Sequence, residues 1–90
     1  MAVTVHICPT KMSREEYERV IKELQASGCS EPRGRVFHAA YGNDDVQMFE
    51  IWETHEQFEA HRDDLMSALE CAGVDGGAVD IHSLHSPLPD

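Results

Sequence analysis

Apolar and polar residues along the chain follow two periods, which predict four strands and two helices. Apolar side chains alternate with polar ones at the start of the chain, and Pro9 is expected to end this first strand. Gly42 opens a hairpin loop, residues 42–45, between two strand-like runs in the middle of the chain. A glycine-rich turn at residues 75–77 leads into a final run. The four predicted strands span residues 2–8, 35–41, 46–52 and 78–84.

Both predicted helices begin at a capping signal and continue with apolar residues at helical spacing. Ser13 with Glu16 predicts a capping box at the start of the first helix. Thr54 with Gln57 predicts a second capping box at the start of the other helix. The helices are expected to end at Gly28 and near Gly73. The stripes predicted to be buried comprise Tyr17, Val20, Ile21 and Leu24 in the first helix, and Phe58, Leu65, Ala68, Leu69 and Ala72 in the second.

The order of these elements is βαββαβ, which is typical of the ferredoxin-like plait. Right-handed crossovers place both helices on one face of a four-stranded antiparallel sheet, so the predicted fold class is α+β. Residues 1–86 are predicted to form a single domain, and residues 87–90 a C-terminal tail whose prolines cannot continue a strand.

The face of the sheet away from the helices is also expected to be apolar. On the third strand, Met48 and Trp52 point to one face, while Phe49 and Ile51 point to the other. Two helices cover only one face, so the other face needs a second cover. A second copy of the same sheet would supply it, and we therefore predict a homodimer that forms through the sheet face.

Composition limits the partners and the compartment. The chain has 90 residues, 41% of them hydrophobic, and a formal net charge of −10. Nucleic acids and anionic membranes require a basic surface, so neither is an expected partner. The 3 cysteines lie far apart without a CxxC pair, which argues against disulfides and a zinc site. Without a signal peptide or a membrane span in the sequence, the expected location is cytoplasmic.

The segment 49–61 carries a recognisable pattern in its polar and aromatic positions. The residues that form the pattern are Glu50, Trp52, Thr54, Glu56, Phe58 and His61. They resemble the signature of the antibiotic-biosynthesis-monooxygenase family, and the order of elements over nearly the whole chain is similar too. The resemblance implies a dimeric α/β barrel. It also implies oxygenation of quinols or phenolic polyketides without a cofactor or metal, or, in some members, haem degradation.

His61 is the leading candidate for chemistry because it lies on the buried stripe of the second helix. It is predicted to be either a general base or a core histidine that holds a backbone carbonyl or Glu50. Glu50 is the second catalytic candidate, because a carboxylate beside Trp52 would be partly buried and could orient His61. Trp52 is predicted first as a core residue and second as a wall of the pocket.

The remaining candidates would surround a small aromatic substrate. Phe58 and Tyr41 are predicted to line an apolar pocket together with Trp52. His6 occupies the first strand, where some active relatives carry an Asn, and is predicted as a further substrate contact. The function predicted from the resemblance is cofactor-independent monooxygenation of a phenol or quinol, with His61 as the base. The alternatives are a non-catalytic homodimer that binds a small hydrophobic ligand and an isomerase that uses His61 with Glu50.

Overall fold

The computed structural model describes residues 2–85, and it has the predicted βαββαβ order. The elements are β1 (Val3–Thr10), α1 (Arg14–Ala26), β2 (Arg35–Tyr41), β3 (Gln47–Trp52), α2 (His55–Cys71) and β4 (Asp75–Ser83). The four strands form one antiparallel sheet in the order β2-β3-β1-β4. The predicted α+β ferredoxin-like fold is therefore confirmed. The predicted tail at 87–90 lies outside the described residues.

Two strand boundaries differ from the predicted ones by two residues or more, the end of β1 and the start of β4, and these two strands run side by side. Pro9 does not end β1, because pairing with β3 stops at Ile7 and only β4 accompanies the strand further, with a register shift after Cys8. A proline is tolerated where a strand has lost one neighbour. β4 starts at Asp75, which pairs with Thr10. Gly77 permits this longer strand because its φ is 62° and its backbone lies so close to the carbonyl oxygen of Cys8 that a Cβ would clash with it.

The helix starts follow the capping signals. Ser13 Oγ accepts the backbone N–H of Glu16 at 3.1 Å, and the Glu16 carboxylate accepts the backbone N–H of Ser13 at 2.8 Å. This capping box is confirmed. Thr54 Oγ1 accepts a hydrogen bond from the backbone N–H of Gln57 at 3.1 Å. The Gln57 amide oxygen, however, accepts a hydrogen bond from the Thr54 hydroxyl and not from the Thr54 backbone N–H. The second capping box is thus only half formed.

Both helices pack on one face of the sheet, which we call the helix side. Its core comprises Val3, Val5 and Ile7 of β1, Met48 and Trp52 of β3, Val20 and Leu24 of α1, and Phe58, Leu65, Ala68 and Leu69 of α2. The opposite face, which we call the open side, carries half-exposed aromatic residues in the single chain. Phe37 is 48% exposed and Tyr41 51% exposed. No helix within residues 2–85 is long and apolar enough to cross a membrane.

Candidate functional site

Glu50 is a carboxylate placed in the core of the helix side. It alternates with Met48 and Trp52 on β3, so the pleat of the strand turns it toward the helices. The sheet pairs it with Val5 on one side and with His38 on the other. Only 1% of Glu50 is exposed to solvent, and a buried carboxylate requires strong partners.

Three side chains supply those partners. His38 Nδ1 lies 2.7 Å from Glu50 Oε2, and Trp52 Nε1 donates to Glu50 Oε1 at 2.9 Å. Arg35 Nη1 is more distant, at 3.4 Å from Oε2. Burial by itself raises the pKa of Glu50. The hydrogen bonds from His38 and Trp52 outweigh it, with help from the positive charge of Arg35, so the pKa of Glu50 falls below its usual value. Glu50 is therefore ionised at neutral pH.

The imidazole of His38 links Glu50 to a tyrosine of α1. Because ionised Glu50 only accepts hydrogen bonds, His38 Nδ1 carries the proton in the neutral ring and Nε2 is left as an acceptor. Nε2 lies 2.9 Å from Tyr17 Oη, so Tyr17 donates to it. Burial raises the pKa of Tyr17, which keeps the hydroxyl protonated. We call this arrangement the Glu50–His38–Tyr17 chain.

The Glu50–His38–Tyr17 chain opens into a pocket between α1 and the sheet. The pocket has a volume of about 610 Å³, within the range of small-molecule sites. Its walls combine apolar and charged groups. They comprise Tyr17, Glu18, Ile21, Lys22, Leu24 and Gln25 of α1, Ser30 and Glu31 of the following loop, Arg35, His38, Met48 and Glu50 of the sheet, and Leu65 of α2.

Arg35 is the cation of this pocket that lies next to Glu50, and its side chain is largely buried. Its Nη2 donates to the carbonyl oxygen of Ser30 at 2.9 Å, which fixes the guanidinium beside Glu50. Glu50 Oε2 already receives the shorter bond from His38, so the contact of Arg35 with Glu50 is the weakest of the three. Arg35 balances the charge of Glu50 while keeping further N–H donors for the pocket.

Trp52 and Phe58, predicted as pocket walls, are both fully buried. Their rings meet edge to face with centroids 5.5 Å apart, under the helices and away from the lining of the large pocket. Trp52 serves the site through its indole N–H, which holds Glu50. The first of its two predicted roles, as a core residue, matches this position.

His61 is also buried, at 5% exposure, and its ring lies 5.5 Å from that of Trp52. Its Nε2 has no hydrogen-bond partner among the described residues. Burial lowers the pKa of His61, and the negative charge of Glu50 offsets this only in part. His61 borders a smaller recess of about 370 Å³ with Cys29, Arg33 and Asp64, among others, and it does not line the large pocket.

Tyr41 and His6 lie on the open side of the sheet. Tyr41 Oη is 2.9 Å from His6 Nε2, and Gln47 Oε1 is 3.0 Å from the same nitrogen. Within one chain the sheet separates both residues from Glu50, so the structure does not bring them together with Trp52 and Phe58. Among residues 2–85, no three His, Cys, Asp or Glu side chains form a group that could hold a metal ion.

Sequence reasoning missed His38, Tyr17 and Arg35. The predicted four-residue hairpin loop would pair His38 with Phe49 and turn it to the open side. The loop between β2 and β3 instead spans residues 42–46, and this one-residue difference pairs His38 with Glu50. Tyr17 was expected only as a core residue of α1, whereas its hydroxyl reaches across to the sheet.

Comparisons with known proteins agree with this architecture. No family model and no curated protein matches the sequence. Among solved structures, a provisionally named antibiotic biosynthesis monooxygenase from Deinococcus radiodurans superposes with a TM-score of 0.65 at 12% identity, covering 100% of this chain and 98% of that one. A provisionally named one from Chloroflexus aurantiacus has a TM-score of 0.62 at 13% identity, with 98% and 95% covered. The chain therefore has the fold of these proteins, as its sequence predicted.

Proposed function

We propose that this protein oxygenates a small phenol or hydroquinone bound in the pocket between α1 and the sheet. The observation that carries the proposal is the buried Glu50–His38 pair, whose imidazole opens into a pocket of about 610 Å³. The names of the solved structures with this fold support the class of reaction.

His38 is the base in this proposal because Glu50 holds its Nδ1 while its Nε2 faces Tyr17 beside the pocket. Its Nε2 is unprotonated while Nδ1 donates to Glu50. When Nε2 receives a proton, the charge of Glu50, 2.7 Å from Nδ1, stabilises the imidazolium that forms. A buried carboxylate that orients a histidine in this way is a recurring arrangement in proton-transfer enzymes.

The reaction itself follows from removing the phenol proton. The phenolate passes one electron to dioxygen, and the resulting phenoxyl radical and superoxide combine at a ring carbon that carries hydrogen. The peroxide anion takes back the proton held by the His38 imidazolium. The hydroperoxide then loses water as its O–O bond and the ring C–H bond break, which leaves a quinone carbonyl at that carbon. One oxygen atom enters the product and the other leaves as water, so a phenol and dioxygen are converted into a quinone and water. The proposed reaction requires neither flavin nor metal.

The sequence-based assignment of the base to His61 competes with the assignment to His38. A general base must come within hydrogen-bond reach of the proton it removes. His61 Nε2 is shielded from solvent and lies outside the lining of the large pocket, whereas His38 forms part of that lining. Geometry therefore favours His38.

Oxygen uptake with a panel of phenols and hydroquinones, together with detection of quinone products, tests the proposal. His38→Gln keeps a polar side chain of similar reach but cannot accept the proton, and should lower turnover by about a hundredfold or more. His61→Gln is the matched variant and should keep turnover within about threefold of wild type, since general-base catalysis is not removed. A large loss of turnover in His61→Gln with little loss in His38→Gln would instead identify His61 as the base.

An isomerase is the second candidate, because the Glu50–His38–Tyr17 chain holds both an acid and a base. His38 Nε2 can accept a proton from one position of a substrate, and protonated Tyr17 can donate one to another position. Moving a proton between two positions of a substrate requires both an acid and a base. Conversion of a substrate without oxygen consumption would favour this function. A ligand bound in the pocket but left unchanged would indicate a non-catalytic binding protein.

We also propose that the protein is a homodimer, joined through the open side of the sheet. Phe37 and Phe49 form an edge-to-face pair there, with ring centroids 6.2 Å apart. Together with Tyr41 and Ile51 they leave a broad aromatic surface on a single chain. A second copy would bury this surface, on the order of 1,600 Å² in total for a stable interface.

A further inference from the structure

We propose that the Tyr17 hydroxyl is a catalytic group that touches the oxygen of the bound phenol. Tyr17 relays the phenol's proton to His38 and then holds the phenolate by a hydrogen bond. This inference rests on the proposed function, and it adds a residue to which the sequence pattern assigned no chemistry.

His38 Nε2 is already engaged by the hydroxyl of Tyr17. Tyr17 Oη lies 2.9 Å from this nitrogen, and the two rings are nearly parallel, at 10°. Nδ1 is taken by Glu50 at 2.7 Å. Both nitrogens of His38 are therefore in use, and a phenol proton reaches Nε2 through the oxygen of Tyr17.

The Tyr17 oxygen has unused hydrogen-bonding capacity for this role. A phenolic hydroxyl donates one hydrogen bond and accepts others. Tyr17 donates to His38, so its oxygen lone pairs are left to accept the O–H of a ligand in the pocket that Tyr17 lines.

The proton transfer balances in charge and atoms. The ligand's O–H bond breaks, and its proton forms a new O–H bond on Tyr17. The original Tyr17 O–H bond breaks at the same time, and that proton binds His38 Nε2. Tyr17 begins and ends neutral, in keeping with a pKa raised by burial. The products are an imidazolium beside Glu50 and a phenolate that accepts a hydrogen bond from Tyr17.

The ionisation of bound 4-nitrophenol measures this hydrogen bond without any turnover, because the absorption bands of the phenol and the phenolate differ. The wild type should bind the phenolate preferentially. Tyr17→Phe removes one charge-assisted hydrogen bond but keeps the His38–Glu50 pair, so the ionisation constant of bound 4-nitrophenol should fall by about tenfold or more. The matched variant is Tyr41→Phe, which removes the hydroxyl of the similar pair on the open side and should leave that constant unchanged.

Two further measurements separate a relay from a merely structural tyrosine. 4-Nitroanisole has no proton to give, so wild type and Tyr17→Phe should bind it with equal affinity if the pocket is intact. The chain has 2 tyrosines, so 3-fluorotyrosine incorporated into the Tyr41→Phe variant labels position 17 alone. Its more acidic hydroxyl donates a stronger hydrogen bond and should shift the ionisation of bound 4-nitrophenol to lower pH.

The outcomes separate this inference from the proposed function. A wild type that binds 4-nitrophenol as phenolate, with the same ionisation constant in Tyr17→Phe, would overturn the role of Tyr17 and leave His38 as a base in direct contact with the ligand. A wild type that binds only the neutral phenol, or none, would overturn the proposed base and the relay together.

Discussion

The two faces of the sheet each carry a histidine bonded to a tyrosine hydroxyl, in nearly the same geometry. On the helix side His38 meets Tyr17 at 2.9 Å, and on the open side His6 meets Tyr41 at 2.9 Å. Ring centroids are 6.4 Å apart in both pairs. The distances within the pairs therefore do not distinguish them.

What differs is the group on the other side of each imidazole. His38 has a buried carboxylate at Nδ1 and the tyrosine at Nε2, so its two ring nitrogens connect an anion to a hydroxyl group. His6 Nε2 lies 2.9 Å from Tyr41 Oη and 3.0 Å from the amide oxygen of the neutral Gln47, which can only accept a hydrogen bond, and the Cys8 thiol is 3.5 Å away. The carboxylate and the surrounding pocket, rather than the histidine–tyrosine contact, therefore make the helix side the candidate site.

The largest expected effect concerns the open side and the proposed dimer. Phe49→Asp places a charge in the centre of the aromatic surface that a second copy would bury, and a buried unpaired charge is strongly unfavourable. The wild type should have twice the mass of the 90-residue chain by light scattering, and the variant should be monomeric or unfolded. Ser67→Asp adds the same charge at an exposed position of α2 and should remain a dimer. A wild type that is monomeric at all concentrations would remove the reason for pairing the sheets.

The next effect tests the carboxylate that distinguishes the two pairs. Glu50→Gln keeps the shape of the side chain but removes the charge that stabilises protonated His38, so turnover of a phenol should fall by about a hundredfold or more. Gln47→Ala removes the group beside the other histidine and should leave turnover within about twofold, because general-base catalysis is kept. Equal losses in both variants would show that the two pairs do not differ in function.

Acid titration of stability supplies an independent control for Glu50. Its pKa in the folded chain lies below the reference value of 4.5, so the stabilisation it provides is present above pH 4.5 and is lost as pH falls through the folded pKa. Thermal unfolding of the wild type should therefore show a larger loss of stability below pH 4.5 than that of Glu50→Gln, which keeps other carboxylates with lowered pKa values such as Glu16. An identical acid response in both proteins would argue against an ionised Glu50 in the core.

The smallest effect sharpens the contrast between His38 and His61. His61 Nε2 is buried without a hydrogen-bond partner among residues 2–85, so His61→Leu, similar in volume, should raise the free energy of unfolding by about 1 kcal/mol. His55→Leu makes the same exchange at an exposed position of the same helix and should change stability by less than about 0.5 kcal/mol. A loss of stability in His61→Leu would instead indicate that His61 holds a polar partner.

The difference in stability between His61→Leu and wild type should depend on pH. Burial holds the pKa of His61 below 6.5, so between that folded value and 6.5 the unfolded chain binds more protons than the folded one. Wild-type stability therefore falls as pH decreases below 6.5. His61→Leu lacks this loss, and its advantage over wild type in chemical denaturation should grow between about pH 7 and pH 5.

The sequence by itself determined the elements and the sides on which their residues lie. Alternation along β3 placed Glu50 and Trp52 on one face, and helical spacing placed His61 on the buried stripe of α2. Ser13 marked the start of α1 through local hydrogen bonds. These features follow from interactions within a few residues, which the order of the amino acids specifies directly.

Only the tertiary structure decided which histidine meets Glu50. A hairpin loop one residue longer than predicted moved the register, brought His38 opposite Glu50 and left Tyr41 on the far face. Tyr17 reached His38 because α1 packs across the sheet, at a separation of 21 residues along the chain. Strand register and helix packing depend on contacts between distant segments, so a local pattern that locates each residue on its own element does not specify its partner on another.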